Sequence, residues 1–163
     1  MTIKTADLCD KYGDQLRYIT LPFNDYGGVA AFYGEIVTVQ CFEDNSFVKR
    51  TLEQPGNGRV LLVDGGASMR CALLGDMLAQ LAIDHRWSGI VINGCIRDSD
   101  IIGTLEIGVK ALATHPRKSE KKNNGYCNVQ VYIGGASCNS GDWLYADRDG
   151  IIISSEALQL AND

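Results

Sequence analysis

Short apolar runs alternate with glycine-rich breaks along the chain, and the period of each run predicts its element. "TADLCDKYG" (5–13) reads as a short helix closing at Gly13. "GEIVTVQCF" (34–42) is dense in Ile, Val and Thr and reads as a strand. "RVLLVDGG" (59–66) is an apolar run stopped by two glycines, the pattern of a strand buried on both faces. From Leu74 to Arg86 the apolar positions are Leu74, Met77, Leu78, Leu81, Ala82 and, with its half-apolar ring, His85, which is helical spacing. "SGIVING" (88–94), "GVKALAT" (108–114) and "NVQVYIGG" (128–135) read as strands. "WLYADRDGIIIS" (143–154) reads as two strands joined by a tight Asp-Arg-Asp-Gly turn. "SEALQLA" (155–161) predicts a short C-terminal helix capped by Ser154 or Ser155.

Strand, helix and strand over 59–94 make a βαβ unit and imply a parallel pair. The later strands read as hairpins. The sum is one α/β domain, a mixed sheet around a central βαβ unit, with many strands and few helices. It is not a dinucleotide-binding fold, because no Gly-x-Gly-x-x-Gly follows the first strand of the unit.

Composition narrows the chemistry. The 163 residues suffice for one core, and 45% hydrophobic with 21% charged residues is globular usage. The net charge of −5 comes without any interleaving of basic and aromatic residues, which argues against direct nucleic-acid binding. The main basic cluster, "RKSEKKNN" (117–124), contains a glutamate and reads as a solvated loop. No apolar run approaches the roughly 18 to 20 residues of a membrane span. The polar start "MTIKTADLCDKYGD" has no signal-peptide core, so a cytoplasmic location is expected. Cys9, Cys41, Cys71, Cys95, Cys127 and Cys138 form no Cys-x-x-Cys pair and read as small packing residues of a reducing compartment. With only His85 and His115, a multi-histidine zinc site within one chain is excluded, and any metal would be a hard cation on oxygen ligands.

Three features converge at one end of the βαβ unit. Gly75 and Asp76 stand where its helix begins, and first-turn amides lack internal partners and attract anions. Arg97 and Asp98, in "INGCIRDSD" (92–100), follow the next strand. Ligands of α/β sheets sit beyond the carboxyl ends of strands, so these groups should share a crevice. Arg97 offers a planar fork to a carboxylate, and the amides around Gly75 to Leu78 can hold a further oxygen. Asp98 offers a hard ligand to a divalent cation, which would stabilise the enolate left when a C–C bond of a 2-keto acid breaks. The plain alternatives stay open on pattern alone: Asp76 as a helix-dipole partner, Arg97 and Asp98 as loop charges. His85, in the last helical turn, reads as structural, Gly65 and Gly66 as turn residues, and Cys71 and Cys95 as packing residues.

Twenty residues separate Asp76 from Arg97, and Asp98 follows at once. "GDMLA … INGCIRD" thus resembles the Asp-x20-Arg-Asp pattern of class II pyruvate aldolases of the 4-hydroxy-4-methyl-2-oxoglutarate type. Their superfamily also contains RraA, the regulator of ribonuclease activity A. "ADLCDKYGD", "VLLVDGGASMRCALLGD" and "SGDWLYADRDGIII" resemble the same family, so the likeness spans nearly the whole chain. It implies a β/β/α swivelling-type domain assembled as a trimeric ring. It implies a small 2-keto acid held by the backbone of Gly75, Asp76, Met77 and Leu78 together with Arg97. Asp98 would hold Mg²⁺ or Mn²⁺, and Asp76 would orient the water used in proton transfer. Oxaloacetate decarboxylation is the implied second activity. In length, and in "CFEDN" and "GDWLYAD", the chain resembles the short regulators, which implies the alternative role of binding a ribonuclease as a protein partner.

Overall fold

The computed structural model describes residues 2–161. Its elements are α1 (Thr5–Tyr12), a 3₁₀ turn (Gly13–Gln15), β1 (Arg17–Ile19), β2 (Asn24–Asp25), β3 (Phe32–Gln40), α2 (Ser46–Leu52), β4 (Val60–Asp64), β5 (Ala72–Leu74), α3 (Asp76–Asp84), β6 (Gly89–Ile96), α4 (Ser99–Ile102), β7 (Gly108–Thr114), β8 (Tyr126–Cys127), β9 (Val131–Ile133), β10 (Ala136–Cys138), β11 (Trp143–Asp147) and β12 (Gly150–Ser154). The large sheet runs β1-β12-β11-β3-β4-β6-β7-β2, with β5 beside β6 and β8 beside β3. β3, β4, β6 and β7 are mutually parallel, and β11 joins β3 antiparallel. The predicted βαβ unit is therefore present as β4, α3 and β6. The Asp147–Gly150 turn joins β11 to β12 as predicted.

Strand periodicity sorts the parallel strands onto two cores. Val37, Val39, Leu61, Val63, Ile90, Ile92, Val109 and Ala111 meet Val48 and Leu52 of α2, Ala79 and Ala82 of α3, and Ile102 of α4. The alternate residues Ile36, Val60, Leu62 and Val91 meet the β9–β10 hairpin through Val131, Ile133, Ala136 and Cys138. Helices thus cover one face of the sheet and a small second sheet covers the other. Because both faces are covered, these strands are apolar almost throughout. A third cluster packs Leu8 of α1 and Leu16 against Tyr145 and Ile152.

Four expectations are corrected. The helical stretch read over 74–86 is shorter: α3 begins at Asp76, where the Gly75–Asp76 start was expected, but Ala72–Leu74 is strand β5, paired with β6, and Gly75 is extended at φ −128, ψ −172. β7 is not half of a hairpin but a parallel neighbour of β6. The run 128–135 is strand only over β9, because Asn128 has φ 58 and Gly134 and Gly135 turn the chain into β10. The C-terminal helix is absent. Residues 155–161 are irregular, because the Leu158 amide donates to the Tyr145 hydroxyl at 2.7 Å and Leu158 and Leu160 pack on the third cluster. Tertiary contacts there outweigh a weak local preference for helix. Helix α2 carries no prediction at all. Among the described residues no helix is long and apolar enough to cross a membrane.

Candidate active site

The sheet brings β5 and β6 side by side, so that Gly75 and Arg97 leave them together. The Arg97 amide donates to the Leu74 carbonyl at 2.9 Å, which fixes the end of β6 against the entrance to α3. Asp98 follows in the left-handed region at φ 56, ψ 38, and this turn swings its carboxylate back to the helix. Its Oδ2 accepts the Asp76 amide at 3.2 Å. Gly75 makes this approach feasible: a Cβ there would lie 2.8 Å from Asp98 Oδ2 and 3.6 Å from Arg97 Nε. The Asp76 carboxylate accepts the Met77 amide at 2.9 Å. Leu78, by position, also has no intrahelical partner for its amide. Gly75, Asp76, Met77, Leu78, Arg97 and Asp98 therefore line one cleft of about 200 Å³.

The cleft is electropositive beyond Arg97. Among the described residues no carboxylate lies in ion-pair range of the Arg97 guanidinium. Lys49 of α2, and Lys118 and Lys121 of the loop after β7, line the same cleft. That loop contains the basic cluster read above as merely solvated. Asn45 also lines the cleft, with only 9% of its surface exposed. Its Nδ2 donates to the Leu73 carbonyl at 3.1 Å, while its Oδ1 is buried without a partner. An orphaned buried acceptor is costly, and a ligand hydroxyl or a water would satisfy it. No local pattern marks Asn45 or Lys121; their place depends on contacts far apart in sequence.

Next to Asn45, the buried carboxylate of Asp44 accepts the Ser46 amide and hydroxyl and the amides of Lys122 and Asn124. Burial alone would raise this carboxyl; the donors from Ser46, Asn124 and Lys122 outweigh it and hold it below the usual range. His85 Nδ1 lies 2.8 Å from the Leu52 carbonyl, away from the cleft, in the structural role expected. Gly66 donates to Asp64 Oδ1 within a turn. Burial raises the Cys71 and Cys95 thiols and pushes Cys41 and Cys138 up to about 12, in keeping with side chains buried in packing positions.

Among the described residues, no three His, Cys, Asp or Glu side chains converge. The donor set fits a largely hydrated hard cation. Asp98 would supply an anionic oxygen, and water and a ligand the rest, the manner in which Mg²⁺ binds.

A mixed α/β sheet with an Arg-Asp pair at the carboxyl end of a parallel strand, facing a helix N-terminus, has the arrangement in which α/β proteins place their ligands. The chain belongs to the RraA-like family (Aldolase/RraA), which is matched over residues 5–153. A protein of Alkalilimnicola ehrlichii named "Putative 4-hydroxy-4-methyl-2-oxoglutarate aldolase" is 51% identical over 158 residues, 97% of this chain and 98% of that one. A Geobacillus kaustophilus structure described as an S-adenosylmethionine:2-dimethylmenaquinone methyltransferase superposes with a TM-score of 0.95 at 46% identity, covering 99% of this chain and all of that one (100%). The RNA-processing inhibitor RraA of Thermus thermophilis superposes with a TM-score of 0.94 at 39% identity, covering 98% and 96%.

Proposed function

We propose that the protein is a cytoplasmic, divalent-metal-dependent lyase of the trimeric-ring type. It would cleave 4-hydroxy-4-methyl-2-oxoglutarate-like acids to pyruvate and decarboxylate oxaloacetate. The observation that carries this reading is the unpaired Arg97 guanidinium beside the Asp98 carboxylate at the start of α3. The names of the relatives at about 50% identity agree with it. A cleft of about 200 Å³ suits a compact keto acid better than a nucleoside cofactor.

In this reading Arg97 clamps the substrate carboxylate through two parallel hydrogen bonds, and the amides at the start of α3 hold a second oxygen. Asp98 would hold Mg²⁺ or Mn²⁺. When bound, the cation supplies Lewis-acid stabilisation of the charge developing on the keto oxygen. As the C3–C4 bond breaks, the C4 hydroxyl loses its proton and C4 becomes the carbonyl of one pyruvate, while the bonding pair passes to C3, which takes up a proton to complete the second pyruvate. Asp76 orients the water that carries a proton to and from these atoms. Met77 is 82% exposed and Ile101 49% exposed beside the cleft, an apolar rim that a neighbouring subunit would cover.

The test is pyruvate release from oxaloacetate with Mg²⁺, with and without chelator. Chelator-sensitive turnover supports the reading, and its absence overturns it. A second reading, binding to a ribonuclease by protein contact, is favoured by the 39% identity to the RNA-processing inhibitor. Retention of a purified ribonuclease on the immobilised protein tests it, and no retention at micromolar concentration would discard it.

A further inference from the structure

The loop after β7 is anchored at both ends by the sheet. The Ala72 amide donates to the Arg117 carbonyl at 2.7 Å, Lys118 bridges to Ala72, and Tyr126–Cys127 pairs with β3. Between these anchors, residues 119–124 touch no strand ladder. They are held by the chain entering α2. Ser119 Oγ accepts the Asn45 amide at 3.2 Å. The Asn123 amide donates to Ser46 Oγ at 3.2 Å. The amides of Lys122 and Asn124 donate to Asp44 Oδ2 at 2.8 and 3.1 Å. Asp44 Oδ1 meanwhile accepts the Ser46 amide at 2.9 Å and hydroxyl at 2.6 Å. One carboxylate, 3% exposed, thus ties the first turn of α2 to the middle of the loop. Lys121 stands between these tethers, next in sequence to the clamped Lys122, and lines the cleft with Arg97.

We propose that Asp44 is a positioning residue of the active site: it clamps the 119–124 segment to α2 and so sets Lys121 at the cleft rim for anionic substrate. The proposal rests on the lyase reading of the cleft. Lys118 would keep its place without Asp44, because Ala72 holds it; Lys121 would not. An amide in place of the carboxylate loses its charge and one of its two acceptor oxygens, so the charge-assisted hold on the loop is weakened, and either the two loop amides or the Ser46 amide is left facing an NH2 group.

The experiment compares wild type with Asp44→Asn, Lys121→Ala and the double variant. It reads backbone hydrogen exchange at Lys122 and Asn124, thermal melting, and oxaloacetate kinetics with Mg²⁺. In Asp44→Asn, exchange at those two amides should rise at least about tenfold, as for a segment opened locally. KM should rise about tenfold, the worth of one charge-assisted hydrogen bond, with kcat held within about twofold. Lys121→Ala should raise KM alike, and the double variant no further, because both remove the same contact. Unchanged exchange, an unchanged KM, or additive effects would each overturn the clamp. If Asp44→Asn does not fold, Ser46→Ala removes the Asn123 tether of the segment and one of the hydrogen bonds that hold the Asp44 carboxylate, and the same readings decide. If wild type lacks turnover, the lyase reading falls. Calorimetric titration of oxalate with Mg²⁺ then judges the clamp: weaker binding by folded Asp44→Asn supports it, and wild-type affinity or no binding overturns it.

Discussion

Replacing Asp98 by asparagine should leave the fold intact and remove the chemistry. Asp98 is exposed, at φ 56 and ψ 38, where asparagine is tolerated at least as well as aspartate. The hydrogen bond at stake runs from the Asp76 amide at 3.2 Å, the long end of the range, and asparagine Oδ1 can still accept it. Stability should therefore stay within about 0.5 kcal/mol of wild type, as for surface substitutions in general. For a chain of this size that is about 1–2 °C in Tm. A cation held there would, in contrast, lose the anionic oxygen that Asp98 offers it. Of the several kcal/mol that Lewis-acid stabilisation supplies, a loss of about 3 kcal/mol would slow the reaction about two orders of magnitude. The assay is pyruvate release from oxaloacetate across a Mg²⁺ or Mn²⁺ titration, with melting on the same sample. Partial recovery at high metal is expected. Wild-type rates at low metal would remove Asp98 from the site, and lost activity together with a lost fold would make Asp98 a structural residue.

Arg97→Lys should lower kcat/KM by about one to two orders of magnitude, since an ammonium cannot reproduce the two-pronged clamp and one charge-assisted bond is worth roughly 1.5–3 kcal/mol; wild-type kcat/KM would refute the clamp. Light scattering should return a trimer or a dimer of trimers, because the sheet ends on the short strands β1 and β2 and the apolar side chains Met77 and Ile101 are exposed beside the cleft; a monomer at micromolar concentration would refute the ring. Asp147, which accepts the Thr5 amide and hydroxyl, should make the docking of α1 sensitive to acid. Burial would raise its carboxyl, but donors from Thr5, Asp149 and Gly150 hold it below the usual range. Its contribution to stability is thus full above the unfolded value of about 3.9 and is lost as pH falls toward the folded value. Asp147→Asn should lower Tm at pH 6 and flatten its decline below about pH 4; an acid limb identical to wild type would refute this.

The parallel strands were legible in the sequence because burial on both faces leaves an unbroken apolar run, as in Val60–Val63 and Gly89–Ile92. The Gly75, Asp76, Arg97 and Asp98 group was legible for a related reason. In a βαβ unit the helix start and the end of the next strand lie at the same edge of the sheet, so the order of elements predicts a shared crevice, while pattern alone leaves the roles of these residues open. β5 was not legible, because it has only three residues, of which Leu74 continues the helical period of α3, and only pairing with β6 makes them a strand. The C-terminal segment reads locally as a helix, and the Tyr145 hydroxyl and the third cluster decide otherwise. Asp44, Asn45 and Lys121 lay furthest beyond the reach of pattern. Asn45 meets Ser119 74 residues away, and Asp44 meets Lys122 78 residues away. No periodicity encodes such pairs. They form only when the sheet has set the loop after β7 against α2, where a buried carboxylate must find donors and the loop amides supply them.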